Sequence, residues 1–230
     1  MLTAVFVHGA CVEDGAWWWS RVADLLRADG IDSIAARLPS CGETGLAPGP
    51  AGPSLAEDVA ELGAVLRSVG PALVVAHSYG GVVATEAAVE GDVRHLFYLD
   101  SFLPDAGESL ADFGGPEPAP YLDFTPDGTF GVRTELAEAL FLQDCDSEAV
   151  EGAFARLTRQ TASVVAEPVR RAAWHDLPST YLVCADDRAT PPDVQRAQAR
   201  RAGRVIELPT GHHPMLSRPD LLAEVLRQTG

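Results

Sequence analysis

The sequence predicts an α/β fold, namely a doubly wound, mainly parallel sheet of six strands with a mostly helical cap insertion. Short, continuous apolar runs alternate along the chain with longer amphipathic segments, which is the pattern of strands connected by helices. The strand candidates show no apolar–polar alternation, as expected for strands that helices cover on both faces. The 230 residues suffice for a single domain with a large core.

Gly and Pro residues mark the ends of the predicted elements, and a Ser54–Glu57 capping box opens one of the helices. The pattern places strands at 2–8, 31–38, 73–77, 93–99, 180–185 and 205–208, and helices at 17–28, 54–68, 82–90, 192–202 and 218–228. Residues 1–102 and 177–230 form the predicted core, and 103–176 form the cap, with helices near 134–140, 147–158 and 167–173.

Composition narrows the choice of partner and chemistry. The formal net charge of −16 argues against nucleic acid and anionic membranes as partners. All 17 basic residues are Arg, which excludes a Schiff-base or general-base lysine. The chain has neither a Gly-rich phosphate loop nor a metal-ligand spacing, so no cofactor and no metal is expected. A small-molecule substrate is the expected partner, and a homodimer is one option for the assembly.

The four cysteines are scattered without CxxC spacing at Cys11, Cys41, Cys145 and Cys184. This pattern predicts neither a disulfide framework nor a zinc site. The first residues lack the basic and small-residue signals of a secretory leader, and no apolar run is long enough to span a bilayer. We therefore expect a protein of the reducing cytosol.

A serine follows the third predicted strand and is itself followed by two glycines and a helix, in the run Ala76-His77-Ser78-Tyr79-Gly80-Gly81. A strand, a tight turn with a nucleophile and a helix form a nucleophile elbow, in which small residues let helix and strand approach. The alternative is an ordinary turn that contains a serine. A glycine also ends the first strand, so the N–H groups of Ala10 and Tyr79 could together hold an oxyanion.

Candidate acids and bases lie at the other strand ends. Asp186 and Asp187 compete as the acid after the fifth strand, either could instead cap the next helix, and Asp100 is a third candidate. After the last strand, a loop carries His212 and His213, and residue chemistry alone does not choose between them as the base. His8 and His77 are better explained as lining the site.

These residues resemble the α/β-hydrolase fold, in the branch of plant methyl-ester esterases, hydroxynitrile lyases and bacterial pyrethroid-hydrolase-like esterases. The segments that carry the resemblance are His8–Cys11, Gly15–Trp17, His77–Gly81, Ser101–Asp105, Cys184–Arg188 and Gly211–Pro219. The resemblance implies Ser78 as nucleophile, His212 as base and Asp187 as acid, with oxyanion donors at Ala10 and Tyr79.

Two departures from the family pattern matter. The first loop has additional residues, 12–14, which could reshape the entrance to the site. Hydroxynitrile lyases carry a Lys after the catalytic His and a Thr in the first loop, whereas this chain has His213 and Gly9 there, which argues against cyanohydrin cleavage.

The resemblance therefore implies a serine hydrolase that cleaves a small to medium, rather apolar carboxylic ester through an acyl-enzyme. The alternatives are a lyase, cyclase or dehydratase that uses Ser78 and His212 for proton transfer, and a non-catalytic small-molecule binder. The expected substrate-binding residues are His8, Gly9, His77, Phe102, Phe124 and Trp174. For any single cap aromatic, packing within the cap is the competing explanation.

Overall fold

A computed structural model describes residues 2–115 and 117–228. Its strands are β1 (Thr3–Val7), β2 (Asp32–Ala35), β3 (Ala72–His77), β4 (Val93–Leu99), β5 (Leu122–Thr125), β6 (Thr129–Val132), β7 (Gln160–Thr161), β8 (Ser179–Cys184) and β9 (Arg204–Leu208). Its α-helices are α1 (Gly15–Trp18), α2 (Ser20–Ala28), α3 (Leu55–Ser68), α4 (Gly80–Ala87), α5 (Thr134–Phe141), α6 (Ser147–Phe154), α7 (Pro192–Ala199), α8 (Pro214–Ser217) and α9 (Pro219–Arg227).

The main sheet has six strands in the order β2-β1-β3-β4-β8-β9, and every neighbouring pair is parallel. This arrangement confirms the predicted doubly wound sheet. The chain starts at β1, second from one edge, adds β2 at that edge, crosses back to β3 and then continues to the opposite edge. All carboxyl ends consequently lie along one edge, where such sheets bind their ligands.

Alternating residues of each central strand enter two separate cores. Val5 and Val74 pack on one face with helices α3 and α4, whereas Phe6 and Val75 pack on the other face with helices α2 and α9. Because both faces are buried, each strand needs apolar side chains at every position, which explains the continuous runs in the sequence. None of the described helices has the length and apolar character required to cross a membrane.

The helix predicted over 17–28 is divided in two at Trp19. The break allows two consecutive aromatic side chains, Trp18 and Trp19, to be buried, and Trp19 stacks on Phe6 with ring centroids 4.6 Å apart. Trp17 remains partly exposed, and the guanidinium of Arg156 covers its ring at 4.4 Å.

The segment 103–176 contains the expected helices α5 and α6, but it also contains an antiparallel sheet in the order β5-β6-β7. The helix expected over 167–173 is wrong, because tertiary partners hold that backbone. The N–H of Val169 donates to the carbonyl oxygen of Glu108 at 2.9 Å, and that of Arg170 donates to the Glu86 carboxylate at 2.7 Å.

Candidate active site

Ser78 lies in the turn between β3 and α4, at the carboxyl edge of the sheet. Its φ of 50° lies in the left-handed region, which a serine adopts only where its surroundings impose it. The Ser78 N–H donates to Leu99 O at 3.1 Å, and Ser101 Oγ donates to Ser78 O at 2.5 Å. The neighbouring strand therefore holds both ends of this strained peptide, and the backbone has the geometry of a nucleophile elbow.

The glycines after Ser78 permit this turn. A Cβ on Gly80 would lie 2.6 Å from His8 O, and a Cβ on Gly81 would lie 1.9 Å from Ser101 Oγ. Helix α4 can thus start against the ends of β1 and β4 only if both positions lack a side chain. The predicted close approach of helix and strand agrees with these distances.

The loop after β1 lies directly against the serine. A Cβ on Gly9 would lie 2.9 Å from His77 Nδ1 and 3.1 Å from Ser78 Cβ, so only glycine allows this approach. Within the part of the chain that the structure describes, neither the Ala10 N–H nor the Tyr79 N–H has a hydrogen-bond acceptor. Two unused backbone donors therefore flank the serine.

His212, on the loop after β9, is 3% exposed, and its Nδ1 lies 2.9 Å from Asp187 Oδ2 in a hydrogen bond. This bond leaves Nε2 as the ring nitrogen available for proton transfer. No hydrogen bond joins the Ser78 hydroxyl to His212 among the described residues, and such bonds commonly form only once substrate is bound. Asp186 has an exposed side chain and takes no part in this arrangement.

Hydrogen bonds hold both carboxylate oxygens of Asp187. Its Oδ1 accepts from the N–H groups of Ala189 and Thr190 at 2.8 and 3.1 Å, and its Oδ2 accepts from Gln195 Nε2 at 2.8 Å. The carboxylate thus caps the turn before α7 and also accepts the hydrogen bond from His212 Nδ1–H. Gln195 is fully buried on α7, and the sequence analysis did not identify it.

A second carboxylate lies equally close to His212. Asp100 Oδ2, at the end of β4, is 2.9 Å from His212 Nδ1 and 3.3 Å from His77 Nε2. The ring N–H points to Asp187 rather than to Asp100, so Asp100 Oδ2 is buried without a hydrogen-bond partner among the described residues. Asp100 is fully buried and has a φ of 37°.

The close approach of these groups shifts the pKa values of His212, Asp100 and His213. Burial alone would lower the pKa of His212, but the carboxylates of Asp187 and Asp100 outweigh burial and hold that pKa above its usual value. Burial would likewise raise the pKa of Asp100, but His77 and His212 outweigh it and lower that pKa to about 2. Burial and the two neighbouring imidazoles hold the pKa of His213 well below its usual value, so His213 is neutral.

Three of the four buried histidines of the described chain, His77, His212 and His213, are packed against one another. His77 Nε2 donates to the carbonyl oxygen of His212 at 3.0 Å, and His213 Nδ1 donates to the carbonyl oxygen of Phe141 at 2.9 Å. Two clusters, His77–His212–His213 and Asp100–Asp187–His212, have ligand-type atoms within 4.8 Å of one another, as a metal site would need. In each histidine of these clusters one ring nitrogen is already hydrogen-bonded to the protein, and the bonds of His77 and Asp187 hold the backbone and the ring of His212.

A buried chain of hydrogen bonds, here called the Asp58 network, connects the two flanking loops. Tyr79 OH and Ser40 Oγ donate to Asp58 Oδ2 at 2.7 and 2.5 Å. Gln160 Nε2 donates to Ser40 Oγ at 2.8 Å, and Gln160 Oε1 accepts from the Cys11 N–H at 3.1 Å. The network therefore joins the residue that follows Ala10 to the side chain of Tyr79, by way of cap strand β7.

The Asp58 network was not predicted from the sequence, although one of its members left a signal. Asp58 falls between Leu55 and Leu62 on the apolar face of α3, where a carboxylate needs partners. Gln160 belongs to no recognisable motif, and nothing in the sequence indicated its role. The pairing of His8 with Glu43, whose Nε2 and Oε2 atoms lie 2.7 Å apart, was likewise not predicted from the sequence.

A cavity of about 770 Å³ opens above the serine. The predicted site residues that line it are His8, Gly9, Ala10, His77, Ser78, Tyr79, Phe102, Phe124 and His212. Apolar side chains, including Trp18, Phe141 and Met215, form most of its wall. Trp174 lies outside it, contrary to expectation, because its indole N–H donates to Pro104 O and its ring stacks on His175.

The segment 103–176 forms one side of this cavity and contacts the loops of the site. Asp144 Oδ2 accepts from the Gly211 N–H at 2.7 Å, directly before His212. In the longer first loop, Val12 forms a β-bridge with Leu157, and both residues line the cavity. The additional residues of this loop therefore connect the first loop to the cap where both line the cavity.

The chain is similar to known proteins over nearly its whole length. Residues 4–225 match the model of the "Alpha/beta hydrolase family". "Alpha/beta hydrolase nvfD" of Aspergillus novofumigatus is 28% identical over 215 residues, covering 85% of this chain and 84% of that protein. "Methylesterase 8" of Arabidopsis thaliana is 26% identical over 248 residues, covering 96% of this chain and 87% of that protein.

Among solved structures, a pyrethroid hydrolase from Sphingobium faniae JZ-2 superposes with a TM-score of 0.84 and 22% identity, covering 99% of this chain and 97% of that one. At this identity the superposition establishes the shared fold. The sequence relatives bear the names of hydrolases and esterases, which supports an enzyme of this class and confirms the resemblance read from the motifs. The chain therefore belongs to the alpha/beta hydrolase family, and it is similar to plant methylesterases.

Proposed function

We propose that this protein is a serine hydrolase that cleaves a carboxylic ester through an acyl-enzyme on Ser78. The observation that carries the proposal is the strained φ of 50° at Ser78, in an elbow that faces the cavity beside a buried histidine–carboxylate pair. Strain of this kind persists where function requires it. The names of the relatives, a methylesterase and a pyrethroid hydrolase, support the same class of reaction.

The proposed mechanism assigns a role to each group. In the form of the enzyme in which the His212 ring is neutral, Nε2 accepts the Ser78 proton, Ser78 Oγ attacks the ester carbonyl, and the Ala10 and Tyr79 N–H groups stabilise the oxyanion. His212 then protonates the departing alcohol. Water, deprotonated by His212, releases the acid from Ser78. Asp187 holds the ring with its proton on Nδ1 and stabilises the imidazolium that forms in both steps.

The cavity supports an uncharged, rather apolar substrate. Its wall is mostly aliphatic and aromatic, and apart from histidines the charged side chains that line it are Glu117 and Arg188, both solvent-exposed. A charged group deep in the cavity would lose its hydration without gaining a partner. We expect p-nitrophenyl butyrate to be turned over well and the p-nitrophenyl ester of succinate poorly.

Active-site labelling tests the proposal. A fluorophosphonate probe should label the wild type, and Ser78→Ala should lose both labelling and ester turnover. Ser68→Ala, at the exposed end of α3, is the matched control and should retain both. Labelling without turnover of any ester would favour lyase or cyclase chemistry, and a wild type that does neither would favour a binding protein.

A further inference from the structure

The carboxylate of Asp100 has no ordinary structural explanation. It is fully buried, its Oδ1 receives only a weak bond from Cys184 Sγ at 3.6 Å, and its Oδ2 has no hydrogen-bond partner among the described residues. Leaving a buried acceptor unsatisfied is costly, and more so for a charged group. The Oδ2 atom nevertheless lies 2.9 Å from His212 Nδ1, the same distance as Asp187 Oδ2.

We propose that Asp100 is a second acid of this site, whose carboxylate shares the protonated His212 ring with Asp187 and can orient that ring in its place. The proposal rests on the proposed function, in which His212 gains and loses a proton. Asp100 contacts His212 and not the substrate, and it is therefore a positioning residue.

The sheet explains how one ring meets two acids. Strands β4 and β8 are neighbours, with Leu99 paired to Leu182, and Asp100 and Asp187 follow their carboxyl ends. The loop after β9 places His212 over both strand ends, between the two carboxylates. A small rotation of the ring would therefore transfer the N–H from one acid to the other without moving the backbone.

The charge of the second acid affects the protonation of His212. When Ser78 transfers its proton, the positive charge forms on a ring that is 3% exposed, where a nearby carboxylate acts with little screening. The other titratable groups that face His212 are His77 and His213, whose ring centroids lie 4.8 and 5.0 Å away. Because His213 is held neutral, the two carboxylates dominate the balance and favour the protonated ring.

The backbone of Asp100 agrees with a functional role. Its φ of 37° is a left-handed conformation, and its N–H is fixed by Leu182 O at 3.0 Å. Among residues with a side chain, Asp and Asn adopt this conformation at the lowest cost. The substitution Asp100→Asn therefore removes the charge while it keeps the shape and the backbone preference, and Asp100→Gly is a second variant compatible with the same φ.

Nuclear magnetic resonance titration tests the proposal without any need for turnover. In protein with ¹⁵N-labelled histidine, the His212 signals are those that disappear in His212→Gln. Asp100→Asn, or Asp100→Gly if the first does not fold, should lower the pKa of His212 by about one unit or more. Asp186→Asn, next to the acid but with its side chain in solvent, should leave that pKa unchanged. An unchanged pKa in the Asp100 variants would overturn the proposal.

Kinetics give a second criterion. In enzymes with a single acid, the corresponding Asp→Asn change lowers turnover by about 10⁴-fold. Here we expect Asp187→Asn to lose clearly less than that, and the double variant Asp100→Asn/Asp187→Asn to lose at least a further tenfold. The rate of fluorophosphonate labelling of Ser78 serves as the readout. Equal losses in Asp187→Asn and the double variant would contradict the second acid, whereas an unlabelled wild type would instead refute the proposed hydrolase.

Discussion

The Asp58 network makes a quantitative prediction about stability. Burial raises the pKa of Asp58 from 3.8 to about 6, although hydrogen bonds from Ser40 and Tyr79 oppose the rise. A folded-state pKa above the unfolded value stabilises the fold at low pH, and this stabilisation is lost as the pH rises through the folded-state pKa. The difference of about two pH units corresponds to about 3 kcal/mol, most of it lost between pH 4 and pH 7.

The substitution Asp58→Asn removes this titration. An asparagine keeps an oxygen acceptor for the Ser40 N–H, and its amide group can donate to the hydroxyl oxygens of Tyr79 and Ser40, whose protons can rotate away. We therefore expect the variant to gain about 2 to 3 kcal/mol relative to the wild type between pH 4 and pH 8, because all other groups titrate equally in the two proteins.

Urea unfolding at several pH values between 4 and 8 measures this difference. Glu61→Gln is the matched control, since Glu61 lies on the same helix and pairs at the surface with Arg37. Surface pairs contribute little, so the control should follow the wild type at every pH. Parallel stability curves for the wild type and Asp58→Asn would refute the assignment of an elevated pKa to Asp58.

Further predictions concern the first loop, the thiols and the cap. Gly9→Ala should lower ester turnover by about 100-fold or more with an unchanged circular dichroism spectrum, because its Cβ would displace the loop from Ser78; full activity would contradict the role of that loop. Burial raises the pKa of Cys145 to about 12, and the other cysteines are buried, so Ellman's reagent should detect at most one thiol before denaturation and four after it. Gln160→Ala should lower the free energy of urea unfolding by about 1–3 kcal/mol, because the Cys11 N–H loses its acceptor and Ser40 Oγ loses a donor; an unchanged midpoint would show that water replaces the amide.

The core was predictable because its signals are local and redundant. The central strands β1 and β3 are nearly continuous apolar runs bounded by Gly or Pro, and the predicted Ser54–Glu57 capping box is present at the start of α3. The elbow was predictable for the same reason, since the two glycines after Ser78 reflect contacts that no other residue permits. In these segments local preference and tertiary structure agree.

The cap was harder to predict, because its elements depend on tertiary contacts. Strand β7 has two residues, and it is a strand only because it pairs with β6. The β5–β6 hairpin did leave a signal in the sequence, because an Asp-Gly pair such as Asp127-Gly128 is typical of hairpin turns, and Gly128 has a φ of 72°. The prediction of a mostly helical cap did not take this signal into account. The expected helix over 167–173 failed because distant residues hold its backbone.

Within the site, the sequence narrowed the candidates, and the geometry separated them. The structure places Asp187 and His212 together and leaves Asp186 in solvent. It also places Asp100 beside His212, a relation that spans more than a hundred residues and depends on which strands are neighbours in the sheet. Linear order cannot supply that information.

The amide of Gln160 has a consequence for exchanging caps between relatives. It is the only described side chain of the cap in the Asp58 network, and it makes two buried hydrogen bonds to the core. A transplanted cap without an amide at this position would leave the Cys11 N–H without its acceptor and Ser40 Oγ without one of its donors, whatever the shape of its pocket. Chimeras that alter specificity should therefore succeed more often when the donor cap contributes Gln at this position, or when Ser40 and Asp58 are replaced along with it.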